Sequence, residues 1–147
     1  GCGTGIVGER LAAHGFSTID GIDISAAMLK VARHKMAGEH RVYRELIHAD
    51  LGDPLPLDDG SYDAVVSAGT FVSGHVDAAA LRELVRITRH GGTLVFTVAD
   101  SHWEAGGFGA VLPALVEAGE VEVDDVTTVA VTTDGASTVR LVTLRRR

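Results

Sequence analysis

The sequence predicts a three-layer α/β domain with a mainly parallel sheet that ends in an antiparallel hairpin. Apolar runs alternate with helical patterns along the chain, which is typical of repeated strand–helix units. A glycine-rich turn at residues 1–5 leads straight into the first helical pattern. Two β-rich runs at 121–133 and 137–144 are joined by Asp134-Gly135-Ala136, and Asp-Gly between such runs favours a hairpin.

Composition and charge exclude several classes of function. The chain has 147 residues, 46% of them hydrophobic and 22% charged, which predicts a single globular domain over 1–147. A net charge of -7 argues against nucleic acid as a partner, because phosphate-binding proteins usually present a basic face. No apolar run approaches the ~20 residues that cross a bilayer, so no membrane partner is expected. The lone Cys2 excludes a disulfide framework and suits a cytoplasmic location.

Each predicted element lies between turn or capping residues. The predicted helices span residues 4–14, 26–35, 78–88 and 108–115, and the predicted strands span residues 17–24, 44–49, 62–67 and 93–99. Ser25 and Asp77 occupy positions typical of helix N-caps. Gly15, Gly38 and the pair Gly91-Gly92 are predicted to end helices.

The glycine loop and one carboxylate predict a nucleotide-like ligand. Gly1, Gly3 and Gly5 allow a tight turn and a close backbone approach, and the following helix directs free N–H groups at the ligand. Asp23 follows about twenty positions later at the end of a predicted strand, where such folds place a carboxylate on ribose hydroxyls. The alternative for Asp23 is a capping role near Ser25.

Three details favour S-adenosylmethionine over a nicotinamide cofactor. The dinucleotide fingerprint requires a third Gly or Ala where this chain has Ile6. Asp50 comes directly after a predicted strand, suitably placed to accept a hydrogen bond from an adenine amino group. The closing hairpin is foreign to the ordinary dinucleotide fold. An NAD(P)-dependent oxidoreductase and a non-catalytic cofactor-binding module remain the alternatives.

Five segments in chain order resemble the motifs of class I S-adenosylmethionine-dependent methyltransferases. They are Gly-Cys-Gly-Thr-Gly at 1–5, Gly-Ile-Asp-Ile-Ser at 21–25, Ala-Asp-Leu at 49–51, Ser-Tyr-Asp-Ala-Val-Val-Ser at 61–67, and the helix and double glycine of 81–92. Residues 69–76, Trp103-Glu104 and Gly107-Phe108 are similar to the methyltransferase-like group named after the Williams–Beuren syndrome region. The resemblance implies a Rossmann-like methyltransferase fold and methyl transfer to a small-molecule acceptor by in-line displacement.

The resemblance also implies a set of residues that contact the cofactor. They are Gly1, Cys2, Gly3, Thr4, Gly5, Asp23, Ile24, Met28, Asp50, Leu51 and Ser67. In the family a hydrophobic strand precedes the glycine loop, so the chain is expected to be a fragment that lacks its first strand. A helix-face Met28 is also explained by simple packing.

Three residues are predicted on the acceptor side. Phe71 and Trp103 have aromatic faces that suit an apolar or cationic acceptor, although core or lid packing explains them equally well. His75 follows the strand at 62–67 and is the candidate general base, with a local packing role as its alternative. No two histidines have the spacing of a zinc-binding helix, so no metal is predicted. The chain is expected to be a monomer or a homodimer.

Overall fold

The computed structural model describes residues 1–35, 42–133 and 135–147, which form two compact units. The first unit is Gly1–Leu55 and the second is Pro56–Arg147. The helices are α1 (Ile6–Ala13), α2 (Ala26–His34), α3 (Leu81–Ile87), α4 (Asp100–Trp103) and α5 (Phe108–Glu117), with a 3₁₀ turn at Ala78–Ala80. The strands are β1 (Asp20–Asp23), β2 (Glu45–His48), β3 (Tyr62–Phe71), β4 (Thr88–Ala99), β5 (Val121–Ala130) and β6 (Thr138–Arg146).

The first unit is built on two short parallel strands. β1 pairs with β2 so that Asp23 lies opposite His48. Its core contains Ala32 and Tyr43, which are 0% and 2% exposed. The Ser25 hydroxyl accepts a hydrogen bond from the Met28 N–H at 3.3 Å, which confirms the predicted N-cap of α2. The predicted end of that helix at Gly38 lies outside the described residues.

The second unit contains a four-stranded sheet in the order β3-β4-β6-β5. β3 and β4 are parallel, whereas β6 is antiparallel to both β4 and β5. Three of these four strands therefore run in one direction. The predicted hairpin is confirmed by the β5–β6 ladder, which extends from the pair Val121–Arg146 to the pair Ala130–Thr138. Asp134 of its predicted turn lies outside the described residues.

Aromatic rings fill the core of the second unit. Phe71 and Phe108 are both 0% exposed, and their ring centroids are 5.3 Å apart in an edge-to-face arrangement. Phe96 of β4 packs edge-on against Phe71 at 5.5 Å. Trp103 stacks on Phe108 at 5.8 Å. These ring contacts join the sheet to α5.

Two predictions about the start of β4 are wrong. Gly91-Gly92 was predicted to end the preceding helix, but both glycines lie inside β4. Thr88 was expected on a helix face, but the helix ends at Ile87 and Thr88 begins β4. The buried Thr88 hydroxyl donates to the Leu84 carbonyl at 2.7 Å. This bond and the strand pairing together stabilise the transition from α3 to β4 at Thr88. Asp77 occupies the predicted N-cap position, before the 3₁₀ turn, but its side chain makes no cap hydrogen bond. It lies instead 3.1 Å from the His102 ring, because α4 brings that histidine beneath it.

The edges of the two sheets and the helix lengths bear on the remaining predictions. Within the described ranges, β1 pairs only with β2, and β3 pairs only with β4. No helix in the described part of the chain is both long and apolar enough to span a membrane. The single-domain organisation stays a prediction.

Candidate cofactor site

The glycine loop is held against β1 by its own backbone. The Cys2 N–H donates to the Ile22 carbonyl at 2.7 Å, and the Gly5 N–H donates to the Cys2 carbonyl at 3.0 Å. Gly3 and Gly5 have φ values of +54° and +90°, a region that side-chain-bearing residues rarely adopt. A Cβ placed on Gly3 would meet no atom within 4 Å, so this side of the loop is open to a ligand.

Asp23 links the glycine loop to the end of β1. One carboxylate oxygen accepts from the Gly3 N–H at 2.7 Å, and the other accepts from the Ser25 N–H at 2.8 Å. The residue is 8% exposed. Each oxygen can accept more than one hydrogen bond, so the two backbone bonds leave capacity for a diol. The structure therefore brings together the predicted loop and carboxylate, and includes the local capping-type contact that was the alternative.

Asp50 lies at the same edge of the two-stranded sheet. It follows β2 as Asp23 ends β1, and the Ala49 N–H donates to the Asp23 carbonyl at 3.3 Å across the pair. The side chain is exposed, and one oxygen accepts from the Gly52 N–H at 2.8 Å. In parallel sheets the carboxyl ends of neighbouring strands form the usual ligand edge. The second oxygen of Asp50 is therefore well placed to accept from a ligand.

Apolar side chains lie beside these carboxylates. Ile24 and Met28 are 61% and 45% exposed, although both are large and hydrophobic. Leu51 is buried at 7% exposure and supports the turn that carries Asp50. An exposed apolar pair next to a polar edge suits a flat heterocycle with a polar rim.

Cys2 and Thr4 are half-buried in the loop, and Gly1 is exposed. Burial raises the pKa of the Cys2 thiol, which keeps the sulfur protonated near neutral pH. The thiol is 3.8 Å from the Gly3 carbonyl. Cys2 thus contributes its backbone to the loop, and its thiol is not activated as a nucleophile.

Ser67 is the predicted cofactor contact in the second unit, and its hydroxyl is buried without a partner. The residue is 8% exposed, and its Oγ makes no hydrogen bond within the described residues. The β3–β4 register shifts between Ser67 and Phe71, and Gly69 inside this irregularity has a φ of +76°. An unsatisfied buried hydroxyl costs about 1–3 kcal/mol, and strand irregularities are frequent beside ligand sites. A ligand atom at Ser67 would remove this cost.

The predicted acceptor-side residues have different surroundings. Phe71 is 0% exposed in the aromatic core, so core packing, the alternative considered for it, accounts for its contacts. Trp103 is 8% exposed and has the Arg140 guanidinium 4.2 Å from its ring centroid, a cation–π contact. His75 is exposed in a turn, where its N–H donates to the Val72 carbonyl at 3.1 Å.

Sequence reasoning missed His102, which is buried under the segment that carries His75. His102 is 4% exposed, and its Nε2 lies 3.1 Å from the Val76 carbonyl and 3.1 Å from an Asp77 carboxylate oxygen. A Cβ on Gly106 would lie 2.6 Å from the same nitrogen. The position of His102 just past an apolar strand was the available signal. No group of three potential metal ligands occurs in the part of the chain that the structure describes.

Comparison with known proteins places these features in a family. The methyltransferase domain family matches residues 1–96. Methyltransferase-like protein 27 of Homo sapiens is 37% identical over 97 residues, which cover 65% of this chain and 37% of that protein. A demethylmenaquinone methyltransferase of Clavibacter sepedonicus is 40% identical over 93 residues, which cover 63% of this chain and 36% of that protein. The aligned segment thus spans little more than a third of each relative.

A solved structure extends the likeness to the whole chain. Geranyl diphosphate C-methyltransferase from Streptomyces coelicolor A3(2), in complex with Mg2+, geranyl diphosphate and S-adenosyl-L-homocysteine, has a TM-score of 0.74 at 16% identity. The match covers 100% of this chain and 69% of that one, and it confirms the predicted Rossmann-like fold. That neighbour was solved with S-adenosyl-L-homocysteine, and the family match supports S-adenosylmethionine as the predicted cofactor type.

The family match also confirms the resemblance to class I methyltransferases, and the human relative supports the finer resemblance. The matched residues 1–96 include the glycine loop, Asp23, Asp50 and Ser67. Since the match covers well over half of the sequence, this chain belongs to the methyltransferase domain family.

Proposed function

We propose that this chain binds S-adenosylmethionine at the glycine loop and that the protein transfers the methyl group to a small-molecule acceptor. The observation that carries the proposal is the 2.7 Å bond from the Gly3 N–H to the Asp23 carboxylate. It joins the loop that cradles a ligand to the carboxylate that reads ribose hydroxyls, with Asp50 at the same edge. The open space at Gly3 fits a bound group.

Each predicted contact has a separate role in this proposal. Asp23 accepts from the ribose diol with charge-assisted bonds, and Asp50 accepts from the adenine amino group. Ile24, Met28 and Leu51 provide apolar surface for the base. The backbone of Gly1, Cys2, Gly3, Thr4 and Gly5 lines the methionine side, and Ser67 offers its hydroxyl.

The chemistry requires alignment more than covalent help from the protein. The bound sulfonium supplies an activated methyl group together with a good leaving group. The residues above hold it for in-line attack, and such orientation lowers a barrier by about 7–11 kcal/mol. A general base contributes only when the acceptor loses a proton, and His75 is the candidate because it is exposed after β3. Trp103 and Phe71 are proposed to shape the acceptor region from behind.

The relatives and the charge of the chain favour a small acceptor. The named relatives act on demethylmenaquinone and geranyl diphosphate, which are small molecules. The net charge of -7 disfavours a nucleic acid acceptor. A cytoplasmic location and a monomeric or homodimeric state are part of this proposal and rest on the sequence alone.

The test is calorimetric titration of S-adenosylmethionine into the chain, with NAD titrated in parallel. We expect binding of the methyl donor and none of NAD, because Ile6 occupies the position where the dinucleotide fingerprint requires Gly or Ala. Formation of S-adenosylhomocysteine with quinol or isoprenoid acceptors then separates an enzyme from a cofactor-binding module. Binding of NAD alone would support the oxidoreductase alternative and remove the proposal.

A further inference from the structure

A tyrosine that the motifs do not include lies directly behind the glycine loop. Tyr43 is 2% exposed and belongs to the core of the first unit. Tyr43 precedes β2, whereas the glycine loop at residues 1–5 precedes α1. We propose that Tyr43 is a positioning residue that caps α1 from behind and fixes the glycine loop in its ligand-binding shape. This inference rests on the proposed function.

Three glycines from three places in the sequence make room for this one ring. A Cβ on Gly5 would lie 3.0 Å from Tyr43 Cε2, and a Cβ on Gly21 would lie 3.0 Å from Cε1. A Cβ on Gly8 would lie 2.3 Å from the phenolic oxygen and 2.4 Å from Cζ. Distances below 3.0 Å are not tolerated without a shift of one partner. Only glycine therefore fits against the ring at Gly8 in α1, and the loop at Gly5 and β1 at Gly21 also approach Tyr43 closely.

The hydroxyl has a defined partner in the first turn of α1. The N-cap Gly5 has no side chain to satisfy the free N–H groups at this helix end. The Gly8 backbone hydrogen-bonds to the Tyr43 oxygen, which supplies that missing cap from a distant part of the chain. One side chain thus satisfies a helix-end donor on its inner side. The Gly3 side of the loop is open, since a Cβ there would meet no atom within 4 Å.

The consequence is that the hydroxyl affects ligand binding more than global stability. Replacing Tyr43 by Phe keeps the ring against all three glycines but leaves the Gly8 N–H buried and unpaired. The first turn of α1 then shifts toward solvent or another acceptor, and the glycine loop moves with it. The Gly3 N–H is bonded to Asp23, so a shift of the loop also moves the carboxylate contact.

The test compares Tyr43→Phe with Tyr62→Phe, the only other tyrosine of the chain. We measure S-adenosylmethionine affinity by calorimetry, the thermal midpoint, and hydrogen exchange of the Gly8 amide by NMR. Tyr43→Phe is expected to weaken binding about five- to tenfold, since a lost buried hydrogen bond has about this effect on an equilibrium. The Gly8 amide should exchange faster. Tyr62→Phe should change neither the S-adenosylmethionine affinity nor the exchange rate of the Gly8 amide.

The outcomes separate this inference from the proposed function. If the wild-type chain binds the methyl donor and Tyr43→Phe binds it equally well, the positioning role is wrong while the function stands. If the loss of affinity is no larger than the loss of stability that the thermal midpoint indicates, and Gly8 exchange is unchanged, Tyr43 is a packing residue. The inference is then overturned. If the folded wild-type chain does not bind the methyl donor, the proposed function fails first and the inference falls with it.

Discussion

In both units an aspartate lies at or just after the end of a parallel strand, but the partners of its carboxylate differ. In the described part of the first unit, the hydrogen bonds to Asp23 at the end of β1 and to Asp50 after β2 come from backbone N–H groups, among them those of Gly3 and Gly52. In the second unit, Asp100 follows β4 and is paired with Thr138 and with the Arg140 guanidinium at 2.8 Å. The hairpin thus pairs Asp100 with a cation, whereas the backbone donors to the carboxylates of the first unit carry no formal charge.

A carboxylate at a strand end is therefore insufficient evidence of a binding role. What separates the three residues is the partner: neutral backbone donors leave a negative charge available, and a guanidinium does not. Asp23 and Asp50 also differ from each other, because Asp23 uses both oxygens and is 8% exposed, while Asp50 uses one and is exposed. The same Asp→Asn substitution should therefore give a different result at each of the three positions.

The largest effect is expected for Asp23→Asn. Two N–H donors face the two carboxylate oxygens, so an amide nitrogen must oppose one of them, donor against donor. The free energy of unfolding should fall by about 1–3 kcal/mol. S-adenosylmethionine affinity should fall by about a hundredfold, since the proposed ribose contacts and the shape of the loop are lost together. Calorimetry and urea unfolding measure the two effects. Asp58→Asn, an exposed carboxylate of the second unit, is the matched control and should leave both unchanged.

Tyr43, beneath the same loop, should make the stability of the protein depend on alkaline pH. Desolvation raises the pKa of Tyr43 to about 12, because the buried phenolate would lose its hydration. The ordinary value is 10.0, so the folded state keeps its proton while the unfolded chain releases it. The contribution of Tyr43 to the free energy of unfolding should be fully present below pH 10. The free energy of unfolding should fall by about 2–3 kcal/mol as the pH rises toward 12. Urea unfolding measures this fall. Tyr43→Phe should remove it and Tyr62→Phe should retain it; an unchanged slope in Tyr43→Phe would contradict the assignment.

Asp50→Asn should affect binding without affecting stability. Its amide oxygen can still accept from Gly52, because only one carboxylate oxygen is engaged. Exposed substitutions of this kind usually change stability by less than about 0.5 kcal/mol. The amide nitrogen would instead face the adenine amino group, and affinity should fall about tenfold. Asp53→Asn, three residues further on, serves as control. A parallel loss of stability would mean that Asp50 builds the turn as Asp23 builds the loop.

The sequence could predict the elements that depend on local chemistry. The glycine loop, the Ser25 cap and the β5–β6 hairpin follow from residues within a few positions of each other, and the structure contains all three. The approach of Asp23 to Gly3 was predictable because the spacing is a property of the strand–helix unit.

The missed features depend on pairings between distant parts of the chain. Asp77 fails to cap a helix because His102 lies beneath it, 25 residues later in the sequence. Tyr43 reaches Gly8 across 35 positions, and no local pattern indicates that contact. Phe71 ends a strand with an aromatic ring, and only the packing of Phe96 and Phe108 shows that it belongs to the core.

The smallest effect is expected for Asp100→Asn, which breaks the comparison if it alters binding. Thr138 and Arg140 hold the pKa of the Asp100 carboxyl below its ordinary value of 3.8, since both hydrogen bonds favour the charged form. A lowered pKa contributes stability that is present above pH 3.8 and is lost as the pH falls through the folded value. Asp100→Asn should therefore lower the thermal midpoint slightly at pH 7, and the difference from wild type should shrink in acid. Affinity for S-adenosylmethionine should not change, because the charge is already neutralised by Arg140. Weaker cofactor binding in this variant would show that strand-end carboxylates act on the ligand whatever their partners, and that the distinction drawn between the two units is wrong.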